Sequence, residues 1–214
     1  MPSNPRDFII ANLHLLPAPA VPEIRLYTAQ PASRVSRLAG DSDLPPYWAY
    51  HWAGGGVLAR YILDHPQTVR ERRIWDIGSG SGIVAVAAAL AGATEVTAVD
   101  IDANAIAACG LNAAANGVRI EAVQADMLDG EPPPADMVLV GDLFYDEATA
   151  LRLTAFLGRC LTAGVEALVG DPNRTYLPYS RLDKLAEYPT PDFGDVKGAA
   201  PNPGVVYRFQ AVRS

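Results

Sequence analysis

The sequence predicts an α/β fold built on a doubly wound sheet of seven strands, mostly parallel, with an antiparallel C-terminal edge. Three observations carry that expectation. From Gly54 onward, short apolar runs alternate with helical patterns of about 10–15 residues, which is how βαβ units read in sequence. A glycine-rich run, Gly78-Ser79-Gly80-Ser81-Gly82, stands where the first of these strands hands over to a helix. Near the C-terminus, residues 205–212 alternate like a strand after Pro- and Gly-rich segments, as a closing antiparallel edge requires. The arrangement is Rossmann-like.

The elements follow in order. Residues 1–46 carry prolines at 2, 5, 17, 19, 22, 31, 45 and 46 and read as loops with short extended pieces such as 23–27. Residues 56–64 form a short amphipathic helix stopped by Pro66. Strand 73–77 is followed by helix 81–91 ending at Gly92, and strand 95–99 by helix 103–116 closed by Gly117. Residues 120–125 make a third strand, and 136–140 a fourth after the Pro132-Pro133-Pro134 turn. Helix 147–161 leads to a fifth strand at 167–169, and 181–187 read as helical. The expected organisation is one domain over 1–214, with 1–53 an N-terminal extension or lid and 54–214 the core.

Composition narrows the partners. With 50% hydrophobic and 19% charged residues in 214, the chain has ample material for a core. Lys+Arg 17 against Asp+Glu 24 gives a net charge of -7, so a nucleic-acid partner is not expected. Two cysteines, Cys109 and Cys160, exclude a disulfide scaffold and a Cys-rich zinc site. His14, His51 and His65 are too scattered to suggest a metal. No run approaches the roughly 20 apolar residues of a membrane span, and the first seven residues lack the order of a signal peptide. A soluble cytoplasmic protein is expected. Abundant alanine with only Lys184 and Lys197 as lysines points to a high-GC bacterial genome.

The glycine turn needs its details read closely. A dinucleotide fingerprint has its third glycine at position 83, and that position is Ile83. The pattern is instead Gly78-x-Gly80-x-Gly82 around Ser79, preceded by Asp76, where a phosphate would be repelled and an ammonium favoured. These features point to S-adenosylmethionine as cofactor. Asp100, at the end of the second strand beside Ile101, suits both ribose hydroxyls by bidentate acceptance. Asp102 is either a further contact or the N-cap of the next helix. Asp126 closes the third strand and suits the adenine amino group, with Met127 packing on the ring. Acids at successive strand ends lie on the edge where open α/β sheets bind ligands.

The fourth strand ends in Gly141-Asp142-Leu143-Phe144-Tyr145-Asp146-Glu147. Methyl transfer is an in-line displacement in which positioning dominates. If the nucleophile is a lysine amine, it must first lose its proton, since only about one in a few thousand is neutral at pH 7 for a pKa near 10.4. Asp142 and Tyr145 suit that task, a carboxylate orienting the ammonium and an aromatic lining the methyl path. Asp146 and Glu147 read equally as acids at a helix N-terminus. His51, Cys109 and Cys160 read as packed residues. Asp171-Pro172-Asn173-Arg174 follows the fifth strand and stands open between a substrate rim and a solvated loop.

On Pro46-Tyr47-Trp48-Ala49, Trp52-Ala53-Gly54-Gly55, Asp76-Ile77-Gly78-Ser79-Gly80 and 141–147, the sequence resembles the electron transfer flavoprotein β-subunit lysine methyltransferase family, one of the seven-β-strand methyltransferases. Pro22-Glu23-Ile24-Arg25-Leu26 is similar to that family's N-terminal segment, and the resemblance runs from about residue 20 to about 175. It implies methyl transfer from S-adenosylmethionine to lysines of the flavoprotein β subunit, in the loop that docks onto dehydrogenases. It also implies that Trp52 lines the cofactor pocket and that Asp142 and Tyr145 face the incoming lysine. The Gly54-Gly55-Gly56 triplet departs from the pattern and reads as added flexibility before the helix. Two other readings stand beside this one. One is a methyltransferase for a small amine or a ribosomal protein, and the other is a catalytically silent binding module.

Overall fold

The protein is described by a computed structural model over residues 4–33, 35, 45–190 and 203–211. Helix α1 (Pro5–Asn12) precedes a hairpin of β1 (His14–Ala18) and β2 (Val21–Thr28). Then come α2 (Ala53–Asp64), β3 (Arg73–Ile77), α3 (Ile83–Leu90), β4 (Glu95–Asp100), α4 (Ala103–Ala115) and β5 (Glu121–Gln124). The second half holds β6 (Met137–Gly141), α5 (Glu147–Thr162), β7 (Glu166–Asp171), β8 (Leu182–Pro189) and β9 (Pro203–Phe209). The main sheet has seven strands in the order β5-β4-β3-β6-β7-β9-β8. Strands β5 to β7 run parallel, while β9 is antiparallel to β7 and β8 to β9. The expected seven-stranded, mostly parallel sheet with an antiparallel edge is thus the observed one.

Alternation across the central strands builds two cores. Met137 and Leu139 of β6 point into one core with Leu58 and Ile62 of α2 and Val86 of α3. Val138 and Val140 point into the other, against Leu153, Phe156 and Leu157 of α5. Each such fully buried side chain contributes about 1.5–3 kcal/mol. Helices α2, α3 and α4 share one face. Among the described residues α5 is the only helix on the other, because the Pro132-Pro133-Pro134 segment stands where a helix between β5 and β6 would run. The chain leaves β3 one way through β4 to β5 and returns the other way through β6. The switch point therefore lies between the carboxyl ends of β3 and β6, where such sheets bind ligands.

Three expectations needed correction. Residues 1–46 are not merely loops with extended pieces, since they include α1 and the β1–β2 hairpin. That hairpin is stitched to α4: Asn112 Oδ1 accepts from Tyr27 N at 2.8 Å and Asn116 Oδ1 from Arg25 N at 2.9 Å. Residues 181–187, read as helical, are mostly the edge strand β8, whose partner β9 supplies a backbone ladder that local propensity cannot register. The expected strand 205–212 is β9; its last residue, Val212, lies outside the described residues.

The third correction positions the site. Helix α2 begins at Ala53, not at Gly56, and Gly54, Gly55 and Gly56 lie inside it, fully buried. They are not a flexible hinge. A Cβ on Gly170 of β7 would lie 2.3 Å from Gly54 O, and one on Gly141 of β6 would lie 2.8 Å from Gly55 Cα. The first turn of α2 rests directly on the ends of two strands. Three glycines disfavour a helix by roughly 1 kcal/mol each relative to alanine; a Cβ on Gly54 would run into the backbone of Gly170 and Asp142, while one on Gly55 or Gly56 would press on Ile83 Cγ2 at 3.2 Å or Ala20 Cβ at 3.0 Å.

Gly170→Ala therefore overpacks this contact. We expect a loss of about 2 kcal/mol or more, read as a melting point about 4–8 °C lower by calorimetry. An unchanged melting point would contradict the close approach.

Candidate active site

The turn after β3 is left-handed at Gly78, Gly80 and Gly82, with φ of 67°, 52° and 78°. A Cβ at Gly78 would meet Leu143 Cδ1 at 2.7 Å, so both conformation and space select glycine there. Ser79 N donates to Val99 O at 3.0 Å and ties the turn to β4. Asp100 holds the same turn from the side: its Oδ2 accepts from Gly80 N and its Oδ1 from Asp102 N, at 2.8 and 2.9 Å. Burial raises the Asp100 pKa against these two donors.

Asp76 is only 1% exposed. It lines the cleft, but its Oδ2 accepts from Ala85 N at 3.1 Å and serves the start of α3, which has no side-chain cap of its own. Burial pushes its pKa to about 7. Asp102 is the N-cap of α4, accepting from Asn104 N at 2.8 Å, and Asp146 caps α5 by accepting from Thr149 N at 3.0 Å. Asp126 turns Oδ1 to Leu128 N at 3.1 Å and Oδ2 to Arg152 at 2.8 Å, so it is a paired acid at the cleft rim.

These residues surround one cleft of about 460 Å³, a size typical of small-molecule sites. The structure brings all the sequence-predicted site residues to its walls: Trp52, Asp76, Gly78, Ser79, Gly80, Asp100, Ile101, Asp126, Met127, Gly141, Asp142 and Tyr145. The Ser79 hydroxyl is buried there with no hydrogen-bond partner, an orphan that a polar ligand would satisfy. That orphan, the cradle a Cβ would fill at Gly78 and the acids around it fit a cationic nucleoside such as S-adenosylmethionine.

The other end of the cleft is aromatic and acidic. Asp142 adopts a left-handed backbone, φ 60°, directly after Gly141. Its Oδ2 accepts from Gly54 N at 2.8 Å, so this acid at the end of β6 caps α2 across space. Its Oδ1 pairs with Arg174 Nε at 2.7 Å, with the Asp142 side chain 6% exposed. The Arg174 guanidinium carbon lies 5.9 Å from the centre of the Trp52 ring. Tyr47 packs between Trp52 and Tyr145, with ring centres 5.6 and 5.7 Å away, and Trp52 Nε1 donates to Tyr47 O at 2.8 Å. Burial, then the neighbouring Asp146, raise the Tyr145 pKa, so its hydroxyl stays protonated.

Three contributors escaped sequence reasoning. Asp171 and Arg174 belong to a segment whose sequence reads equally as a substrate rim or a solvated loop, and Tyr47 stands in the sequence only within the Pro46-Tyr47-Trp48-Ala49 stretch. Asp171 is fully buried; its Oδ1 accepts from Arg174 N at 2.7 Å and its Oδ2 has no partner. Burial, opposed by that backbone bond and reinforced by nearby Asp142, pushes its pKa to about 7. The signal was present: like Asp76, Asp100 and Asp126, it is an acid at a strand end. His51 stands on the cleft wall, bonded through Nε2 to Thr28 Oγ1 at 3.1 Å, with burial lowering its pKa. Cys109 and Cys160 are fully buried.

Comparison with known proteins places this geometry. The family model for ribosomal protein L11 methyltransferase (PrmA) matches residues 58–142. The electron transfer flavoprotein beta subunit lysine methyltransferase of Xenopus laevis is 38% identical over 200 residues, covering 88% of this chain and 80% of that protein. The chain belongs to the electron transfer flavoprotein beta subunit lysine methyltransferase family. The family's Danio rerio member is 37% identical over 196 residues, covering 87% of this chain and 76% of its own. A T. thermophilus 16S rRNA methyltransferase solved in complex with AdoMet and guanosine shares the fold, with TM-score 0.53, 17% identity and coverage of 74% of this chain and 43% of that one. Membership makes the protein a methyltransferase, and its seven-stranded sheet is that of the S-adenosylmethionine-dependent enzymes. Among the described residues no helix is long and apolar enough to cross a membrane.

A carboxyl whose pKa is raised on folding favours the folded state at low pH and loses that advantage as pH climbs to the folded pKa. For Asp171 the window runs from its ordinary value of 3.8 to about 7. Asp171→Asn, which keeps an acceptor for Arg174 N, is expected to gain stability relative to the parent protein across that window. The slope is at most about 1.4 kcal/mol per pH unit, with no further gain above it. Paired calorimetric melts from pH 5 to 8 check this, and a difference independent of pH would contradict it.

Proposed function

We propose that this protein transfers methyl groups from S-adenosylmethionine to lysine side chains of the electron transfer flavoprotein β subunit. The observation that carries the reading is Asp142. It is a carboxylate fixed by Gly54 N–H in a strained backbone, facing a cation beside Trp52, at the far end of a cleft whose near end carries the glycine turn and strand-end acids. The likeness to the named relatives over most of the chain supports the substrate.

In this reading Gly78, Ser79, Gly80 and Asp100 hold the cofactor, with Asp126, Ile101 and Met127 around the base and Asp76 beneath it. When bound, S-adenosylmethionine supplies an electrophilic methyl group on a sulfonium. The chain's own residues do the rest. Asp142 attracts the lysine ammonium through Oδ1 and orients it. As the amine gives up its proton, that carboxylate oxygen accepts or relays it, because a lysine of ordinary pKa near 10.4 is almost wholly protonated at pH 7. Trp52, Tyr47 and Tyr145 wall the path with ring faces that favour a cation. Tyr145 keeps its hydroxyl protonated and does not compete as a base.

The alternative, a ribosomal protein substrate, rests on the match to residues 58–142. That span holds the cofactor side and stops at Asp142, before Tyr145 and Arg174. It therefore speaks for a shared cofactor half and leaves the substrate side to the full-length relatives.

Intact-mass spectrometry of recombinant flavoprotein incubated with this enzyme and S-adenosylmethionine tests the proposal. Steps of about 14 Da, one methyl group each, should appear on the β subunit and not on its partner. Demonstrable cofactor binding with no mass change would remove the substrate assignment.

A further inference from the structure

We propose that Arg174 is the specificity-determining residue of the lysine site: it occupies the seat of the substrate cation in the free enzyme and yields only to a lysine delivered by a docked polypeptide. The inference rests on the function proposed above and adds what keeps free amines out.

The seat is defined by its walls. Asp142 provides the anion, with Oδ1 2.7 Å from Arg174 Nε, and Trp52 provides the ring under the guanidinium. A carboxylate and an indole ring together are what an alkylammonium ion would require. Here a residue of the chain already fills that requirement. Arg174 is also held from behind: Asp171 Oδ1 accepts from its backbone N–H at 2.7 Å, so the loop presents the side chain at a fixed place. The side chain itself is 28% exposed and reachable by solvent, so it leaves the seat without unpacking a core.

A small amine arriving alone must displace this cation with the binding free energy of one ammonium group. Its apparent affinity falls by the fraction of molecules in which the seat is open. A polypeptide brings contacts outside the seat and can drive the exchange. Arginine suits the task because its guanidinium stays protonated at any working pH, so it is not a methyl acceptor through a neutral amine.

The test has two arms. In the first, n-butylammonium, a probe for the lysine side chain, is titrated into the cofactor-bound enzyme and followed through the Trp52 indole N–H resonance. Arg174→Ala and Arg174→Gln should each bind the probe about tenfold or more tightly than the parent protein, and adding Asp142→Asn should remove the gain. Unchanged or weaker binding in both folded variants overturns the proposal. In the second, KM and kcat for the flavoprotein are compared. A lower KM in Arg174→Gln supports a resident cation, whereas a higher KM with a fall in kcat shows that Arg174 supports Asp142 and overturns it. If the parent protein methylates no flavoprotein, the substrate reading fails while the probe arm still decides the role of Arg174.

Discussion

The site depends on backbone-to-backbone contact between the first turn of α2 and the carboxyl ends of β6 and β7. Gly54 and Gly170 face each other so closely that neither tolerates a Cβ, and a Cβ on Gly141 would run into the Gly55 backbone. This closeness puts the Gly54 N–H within 2.8 Å of the Asp142 carboxylate. An unsatisfied donor at the start of a helix is thereby matched with an acid at the end of a strand. Because Trp52 immediately precedes α2, the same contact fixes the aromatic wall opposite that acid. A helix one methyl group further out would leave Asp142 without its donor and Trp52 away from Arg174.

Burial of acids is the second organising feature. Asp76, Asp100 and Asp171 all end parallel strands, and all have pKa values raised chiefly by burial. Each is stabilised by backbone N–H groups more than by cations: Ala85 for Asp76, Gly80 and Asp102 for Asp100, Arg174 for Asp171. Such donors shape the loops around the cleft. Asp126 and Asp142 do face side-chain cations, Arg152 at the rim and Arg174 at the aromatic end; of the two only Asp142 is buried, beside Trp52, and that marks the end of the cleft where a cation is exchanged.

Much of this was legible in the sequence. The alternation of strands and helices fixed the parallel half of the sheet, and β3 was read to the residue, because short buried strands bounded by turns leave little ambiguity. The cleft residues were legible because strand-end acids and a glycine turn carry their chemistry locally. What escaped was set by partners distant in the chain. Edge strand β8 pairs with β9 across residues whose own composition favours a helix. The glycine triplet looked like flexibility because its reason, Gly141 and Gly170, lies more than 80 positions away. Arg174 looked like any loop charge, since only the folded chain brings it to Asp142.

Holding the cofactor and positioning the amine fall to different residues of one cleft. The most direct measurement is cofactor affinity and methyl transfer side by side in Asp142→Asn, which keeps an acceptor for Gly54 N–H. We expect a dissociation constant for S-adenosylmethionine within about threefold of the parent value and transfer slower by roughly a hundredfold or more, the usual effect of losing a positioned acid–base group. Transfer at the parent rate, or loss of affinity and transfer together, would contradict it.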